Sequence, residues 1–204
     1  MKPRDVVERS TIMWRRLDIP GAEVAELTFN GGAPTLSGVV VVAHDARPCR
    51  LDYHIDCDEA WQTTTVRIDG HLGGVPVTLD LLRSPDHSWR SNGNLIPMLQ
   101  GCVDVDLGFS PVTNLLPVRR LSPALGRRVE VRAAWVRFPE LTLEVLDQAY
   151  TRVDATTYLY ESAGGAFRRH LSVNAVGFVV DYPDYWRAES ATIHPDHVPN
   201  EVTP

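Results

Sequence analysis

The sequence predicts a mainly β protein. Most of its segments alternate apolar and polar residues with a period of two, which is typical of half-buried strands. These segments are separated by Gly, Pro, Asn and Asp, which favour turns. Helical periodicity is confined to one short stretch. A chain of 204 residues is long enough to bury a substantial core in this architecture.

Candidate strands follow one another along most of the chain. They cover residues 23–29, 36–44, 49–56, 63–69, 75–82, 88–91, 103–107, 129–138, 143–152, 157–161, 167–173 and 177–182. Residues that tolerate positive φ mark several turns between them. These turns are Asn30-Gly31-Gly32, Gly73-Gly74, Asn92-Gly93 and Gly164-Gly165. Asn92-Gly93 carries the clearest signal for a β-hairpin.

One helix is predicted. Ser110-Pro111 is typical of an N-cap followed by proline at the first helical position. Pro117 predicts a kink, or two consecutive short turns, in place of a long regular helix. The apolar side and the basic C-terminal end of this helix consist of Val112, Leu115, Leu116 and Val118, and of Arg119 and Arg120.

Composition excludes several classes of protein. A net charge of −6 argues against general nucleic-acid binding, which needs clustered Lys and Arg. No run approaches the roughly 18 apolar residues of a membrane span, so no integral membrane association is predicted. The N-terminus lacks the apolar middle of a signal peptide. The three cysteines, Cys49, Cys57 and Cys102, form no CxxC pair and are predicted to be buried thiols. A cytoplasmic location is therefore expected.

A single domain is predicted over residues 1–187, because no repeat, low-complexity tract or linker divides it. From residue 188 the sequence AESATIHPDHVPNEVTP has little to bury. Residues 188–204 are therefore predicted to form a polar, loosely attached C-terminal tail.

The segment 101–121, GCVDVDLGFSPVTNLLPVRRL, brings two carboxylates and two guanidiniums together. In a strand, Asp104 and Asp106 project from one face about 6.6 to 7 Å apart. At that separation they could divide acid and base roles or could both meet cations. Arg119 and Arg120 point about 100° apart on a helix, so only one can face the carboxylates. A structural Asp–Arg pair, ligand contact and catalysis all remain open.

A second acidic cluster lies in LDYHIDCDE, residues 51–59, where Asp52, His54, Asp56 and Asp58 share one face of a strand. Histidine and carboxylates can bind a divalent metal, but no other segment supplies converging ligands. The cluster is interpreted as a solvated outer face, and no metal site is predicted. Motifs for common hydrolases, kinases and dehydrogenases are absent, so no cofactor is predicted.

Aromatic residues are spread over many of the candidate strands. A curved sheet could bring some of them together as a stacking surface for sugar rings or acyl chains, or they could fill the core. The set comprises Trp61, Trp89, Trp135, Tyr150, Tyr158, Tyr160, Phe178, Tyr182 and Trp186.

Five stretches together resemble the bacterial putative glycolipid-binding family, formerly a domain of unknown function. They are CVDVDLGFSPVTNLLPVRRL, AAWVRFPEL, LDQAYTR, YLYES and VGFVVDYPDYW, and the resemblance runs from about Trp14 to Arg187. It implies a spiral β-roll, in which a long antiparallel sheet wraps around a single short helix at residues 114–120. It also implies a homodimer with a groove between or beside the subunits. Asn174 is a departure, because relatives commonly carry Asp there.

The leading hypothesis is a non-enzymatic protein that binds a glycolipid or another amphipathic molecule in a groove of the curved sheet or of the dimer interface. The predicted ligand-binding residues are Asp104, Asp106, Asn114, Arg119, Arg120, Trp89, Tyr150 and Tyr160. One alternative is a hydrolase or isomerase with Asp104 or Asp106 as base and Arg119 as electrostatic clamp. Another is a structural or interaction module. Glycolipid carriers of bacterial envelopes need export, which conflicts with the expected cytoplasmic location.

Overall fold

The computed structural model describes residues 8–199. Its strands are β1 (Arg9–Arg16), β2 (Gly21–Asn30), β3 (Ala33–His44), β4 (Arg47–Cys57), β5 (Thr63–Leu72), β6 (Val75–Arg83), β7 (Trp89–Ser91), β8 (Asn94–Leu95), β9 (Asp104–Leu107), β10 (Arg128–Val136), β11 (Leu143–Arg152), β12 (Thr157–Ser162), β13 (Phe167–Val173), β14 (Val179–Tyr182) and β15 (Trp186–Thr192). The helix is α1 (Leu115–Leu121). Short 3-10 turns cover Pro97–Leu99, Val112–Asn114, Ala163–Gly165 and Pro195–His197.

All 15 strands form one curved sheet in the order β8-β7-β6-β5-β4-β3-β2-β1-β15-β14-β13-β12-β11-β10-β9. The first eight strands run as an antiparallel meander to one edge. The chain then crosses to the opposite edge at β9 and returns through β10 to β15, which pairs with β1. The neighbours β9 and β10 are parallel. The predicted mainly β roll around a short helix is confirmed, with a sheet that does not close.

The helix lies inside the curve of the sheet because it is apolar on nearly all sides. Leu115, Leu116 and Val118 are 1%, 0% and 6% exposed, and they pack into the same two cores as the strands. A helix that is hydrophobic all round is stable only when it is buried. It connects β9 to the parallel strand β10, which requires a crossover of this kind.

The local signals at the helix start are found where they were predicted. The Ser110 hydroxyl accepts a hydrogen bond from the Val112 N–H at 3.0 Å. A 3-10 turn follows directly and α1 begins at Leu115, so the two consecutive short turns are present. Pro117 is the third residue of α1, where a backbone N–H has no partner within the helix. Proline is therefore tolerated there.

Contacts between loops and side chains hold together the two halves of the unclosed sheet. The Thr63 N–H donates to the Val103 carbonyl at 3.0 Å, and the Val105 N–H donates to the Thr63 hydroxyl at 3.1 Å. The Trp89 indole donates to the Cys102 carbonyl at 2.9 Å. Strands β5 and β7 therefore touch the segment around β9 although they lie far from it in the strand order.

Three strands were not predicted. In β1, the charges of Arg9, Arg15 and Arg16 obscure the inward alternation of the three buried residues, Ser10, Ile12 and Trp14. Strand β8 has only two residues and follows the predicted Asn92-Gly93 hairpin, where both residues have positive φ. In β15 only Trp186 is buried, so the apolar alternation that signals a strand is missing.

The predicted C-terminal tail needs correction. Residues 188–192 belong to β15, so residue 188 is not the start of a detached segment. His197 is 3% exposed, and its Nδ1 lies 2.8 Å from the Ser10 hydroxyl. Residues 193–199 are thus attached through a few buried groups although their composition is polar. The end of the predicted tail, residues 200–204, lies outside the described residues.

The two adjacent arginines have different partners. Arg120 makes two hydrogen bonds to Asp104, the longer of 3.1 Å, and Asp104 is 1% exposed. Burial raises the pKa of Asp104, and the Arg120 guanidinium opposes that shift. Arg119 instead donates to the carbonyls of Val176 at 2.8 Å and His197 at 2.7 Å. Proposing Arg119 as the clamp for a catalytic aspartate was therefore wrong, because successive helical residues point about 100° apart.

Asn174 caps a loop next to Arg119. Its side-chain oxygen accepts hydrogen bonds from the N–H groups of Val176, Gly177 and Phe178, each at 3.1 Å. An amide oxygen is sufficient for this arrangement, and an aspartate could make the same three bonds. The loop therefore keeps its hydrogen bonds without a negative charge at this position.

We expect Arg120→Ala to lower the free energy of unfolding by about 3 to 5 kcal/mol, because it leaves Asp104 buried without its partner. Urea unfolding monitored by tryptophan fluorescence measures the loss. In the double variant Asp104→Asn/Arg120→Ala, part of the stability should return, since no buried charge remains. Equal stability of Arg120→Ala and the wild type would show that this pair does not stabilise the fold.

Candidate functional site

A cavity of about 390 Å³ lies between the start of the helix and the strands that follow it. We call it the aromatic–polar cavity. Its aromatic lining comprises Trp135, Tyr160, Phe167, Tyr182, Tyr185 and Trp186. The remaining lining comprises Arg16, Asp106, Leu107, Gly108, Ser110, Asn114, Leu146, Ser162 and Ala163.

Four of the six lining aromatic residues, Tyr160, Phe167, Tyr182 and Tyr185, form a continuous cluster of rings. The ring centroid of Tyr182 lies 6.2 Å from that of Tyr160, 6.5 Å from that of Phe167 and 5.4 Å from that of Tyr185. The interplanar angles are 58° to 65°, so edges of some rings meet faces of others. The Arg169 guanidinium lies 4.8 Å from the Phe167 centroid and supports the cluster. This wall is apolar and rigidly packed.

Asp106 is the carboxyl group of the cavity. Its Oδ2 accepts a hydrogen bond of 2.7 Å from the Gln148 amide, which also contacts the Tyr160 hydroxyl at 3.1 Å. Among residues 8–199 no ion pair involves Asp106. Burial, aided by the nearby Asp104, raises the pKa of Asp106 to about 6. The group can therefore accept or exchange protons near neutral pH.

Arg16 is the cation of the cavity. Its side chain is 9% exposed and donates to Asp18 at 2.8 and 3.1 Å. Its guanidinium lies 5.2 Å from the centroid of the Trp186 ring. Within residues 8–199 the Nη1 atom has no hydrogen-bond partner and is buried. An unsatisfied buried donor costs about 1 to 3 kcal/mol, or more when charged.

Behind the cavity, a buried carboxyl group ties the helix start to the sheet. Glu23 Oε1 accepts from the hydroxyls of Ser110 and Tyr53, both at 2.6 Å. Tyr53 on β4 reaches Glu23 on β2 across Gly38 of β3, where an added Cβ would lie 2.3 Å from the tyrosine oxygen. Burial raises the pKa of Glu23 to about 8, so it is largely protonated at neutral pH.

Three of the predicted ligand-binding residues line the cavity: Asp106, Asn114 and Tyr160. Tyr150 lies behind them and donates to the Asn114 side-chain oxygen at 2.9 Å. Trp89 is 0% exposed in the core, beside β9 and away from the cavity lining. The other three predicted residues, Asp104, Arg119 and Arg120, also lie outside the lining and make the structural contacts described above.

Sequence reasoning missed Arg16, Ser110, Phe167 and Tyr185 as lining residues. Of the nine aromatics proposed as a stacking surface, the cavity uses Trp135, Tyr160, Tyr182 and Trp186. Arg16 continues the alternation of inward-facing residues Ser10, Ile12 and Trp14 in β1, which would have predicted that it faces inward. The charged residues of that strand made this alternation hard to recognise.

The second acidic cluster lies on the outer face of β4, where Asp52 and His54 alternate with buried residues as predicted. His54 and Asp56 line a second pocket of about 460 Å³, together with residues of β5, β6 and the β7–β8 hairpin. Elsewhere, ligand atoms of Glu8, His194 and Asp196 lie within 4.8 Å of one another at the two ends of the described chain. Exposed groups of this kind are common without a metal, and nothing further in the structure indicates an ion there.

The comparisons agree with this architecture. A crystal structure of a DUF1089 family protein from Pseudomonas aeruginosa superposes with a TM-score of 0.73 at 31% sequence identity. The match covers 81% of this chain and 91% of that one. The sequence profile of the family described as "Putative glycolipid-binding" matches residues 11–188. The chain belongs to this family.

No curated protein matches the sequence. Within residues 8–199 the structure contains no helix with the length and hydropathy needed to cross a membrane.

We expect the stability of the fold to decrease as pH rises from about 4.5 to 8, because of Glu23. Below pH 4.5 the Glu23 carboxyl group is protonated in both the folded and the unfolded state. Between pH 4.5 and about 8 it stays protonated only in the folded state, so the folded state loses stability as pH rises. Glu23→Gln should remove this part of the pH dependence. Urea unfolding at pH 5, 6, 7 and 8 measures the slope. Glu26→Gln, on an exposed ion pair of the same strand, is the matched control and should keep the wild-type slope. An unchanged slope in Glu23→Gln would contradict the assignment.

Proposed function

We propose that this protein is a non-enzymatic binding protein for an amphipathic molecule of the glycolipid class, and that the aromatic–polar cavity is its binding site. The observation that carries the proposal is the combination of six aromatic residues with the polar side chains of Arg16, Asp106 and Asn114 in the lining of one cavity. Ligand sites are typically concave and largely apolar, with a few precisely placed polar groups. Membership in a family described as glycolipid-binding supports the same class of ligand.

The volume supports a small ligand or part of a larger one. At about 390 Å³ the cavity lies at the lower end of the range of roughly 300 to 1,000 Å³ for small-molecule sites. Its polar groups are held by packing and by hydrogen bonds to neighbours such as Gln148 and Tyr150. A preformed site of this kind loses little entropy on binding.

Asp106 favours a second candidate, a hydrolase or isomerase. A carboxyl group with a raised pKa in a cavity is a typical general base. However, hydrolysis of a glycoside usually needs two carboxyl groups, one on each side of the bond. Among residues 8–199, only one acidic residue, Asp106, lines this cavity. Prolonged incubation with 4-nitrophenyl glycosides distinguishes the two: release of nitrophenol that is lost in Asp106→Asn would favour the enzyme.

Native mass spectrometry tests the binding proposal. Protein purified without detergent is mixed with n-octyl β-D-glucoside below its micelle concentration. We expect one glucoside per chain of 22.7 kDa. Leu146→Trp should abolish the complex by filling the cavity that Leu146 lines.

Leu82→Trp is the matched control, because Leu82 is 48% exposed and lines the second pocket instead. It should bind like the wild type. Absence of a complex with the wild type, or equal binding by Leu146→Trp, would count against the cavity as the site.

The homodimer remains part of this proposal because of the family resemblance, and the cytoplasmic location remains part of it because the N-terminus lacks a signal-peptide pattern. Light scattering of the purified protein should give twice the chain mass of 22.7 kDa. If the partner subunit fills the cavity and no small molecule binds, the third hypothesis, a structural or interaction module, would replace binding.

A further inference from the structure

We propose that the aromatic–polar cavity takes the uncharged sugar ring of its ligand and leaves the hydrocarbon chains outside. This inference rests on the proposed function and specifies which part of an amphipathic molecule enters the site. Three properties of the lining support it: its polar side chains, its balance of charge and the exposed faces of its aromatic rings.

The first argument concerns polarity. Arg16, Asp106 and Asn114 all contribute to the wall of one cavity. A hydrocarbon chain against these groups would remove water from them and offer no hydrogen bond in return, at a cost of about 1 to 3 kcal/mol for each neutral group and more for a charged one. Sugar hydroxyls both donate and accept. They can donate to the Asp106 carboxylate and can exchange hydrogen bonds with the other polar side chains of the lining.

The second argument concerns charge. Arg16 is the cation of the lining, and Asp18 already neutralises it at 2.8 Å. Asp106 adds a carboxyl group with no cation of its own. A phosphate or sulfate group would therefore meet no uncompensated positive charge and would lie near a carboxylate. The geometry favours a neutral sugar over an anionic head group.

The third argument concerns the aromatic wall. Faces of aromatic rings carry partial negative charge, which attracts the slightly positive C–H groups on one face of a pyranose. Six aromatic residues line the cavity, and ring contacts join four of them, Tyr160, Phe167, Tyr182 and Tyr185. The Arg16 guanidinium covers one face of the Trp186 ring, 5.2 Å from its centroid. The four clustered rings therefore supply the stacking surface.

Saturation-transfer NMR with n-octyl β-D-glucoside shows which part of the molecule touches the protein. We expect the strongest transfer to the ring protons and the weakest to the terminal methyl group. Methyl β-D-glucoside should compete for the site, whereas octanoate and glycerol 3-phosphate should not. Strongest transfer to the alkyl chain, or displacement by octanoate, would overturn the inference while leaving amphiphile binding intact. No binding of any probe would instead refute the proposed function.

The variant Asp106→Leu separates the two modes of binding further. It removes the acceptor and enlarges the apolar surface, so the affinity for methyl β-D-glucoside should fall at least tenfold. If the cavity instead held the hydrocarbon chain of the ligand, Asp106→Leu should bind octanoate more tightly than the wild type does. Asp52→Asn on the outer face of β4 is the matched control and should bind like the wild type. The urea midpoint of each variant verifies that the fold is retained, and an unchanged glucoside affinity in folded Asp106→Leu would contradict the role given to Asp106.

Discussion

The buried helix imposes the main constraint on this fold, because both of its polar ends must be satisfied inside the curved sheet. At the start, Ser110 accepts from the backbone and donates to Glu23, which Tyr53 holds from β4. At the end, Arg120 meets Asp104 and Arg119 meets two backbone carbonyls. Burial lowers the pKa of Arg119 to about 10, the expected result for a guanidinium without a carboxylate partner. Strands and loops from both halves of the sheet thus supply the partners of Ser110, Arg119 and Arg120.

The same constraint leaves room for the cavity. On one side the helix packs into a large core of aliphatic residues and a few large rings, most of them from β1 to β7 and the rest from β9, β10, β15 and nearby loops. On the other side, a smaller core, mostly from β10 to β14, consists mainly of tyrosines and valines. Several of the cavity's aromatic residues lie in or beside this smaller core. The cavity therefore lies on the side where β9 and the later strands meet the helix start.

Local chemistry made the helix start and most strands predictable, whereas the roll was predicted from the family resemblance. The Ser110-Pro111 cap and twelve alternating strands depend on neighbours in sequence and were found near the predicted places, but β1, β8 and β15 were not predicted. The cavity was only partly predictable because its walls depend on long-range register. Arg16 is paired with Trp186 across β1 and β15, the two long strands whose alternation was obscured. Without that pairing, no pattern in the sequence brings Arg16 to Asp106, which lies 90 positions later.

Asp104 and Asp106 show how one strand can serve structure and binding at once. The two residues point to the same side of β9, about 6.6 to 7 Å apart by strand geometry. Asp104 lies beside the end of the helix and meets Arg120, so its charge is compensated within the core. Asp106 lies beyond the reach of that arginine and meets only the amide of Gln148, with the cavity on its other side. A shift of β9 by one residue would turn both groups away, because alternate residues face opposite sides of a sheet. The ion pair that anchors the helix therefore also fixes the register that places a carboxyl group in the cavity.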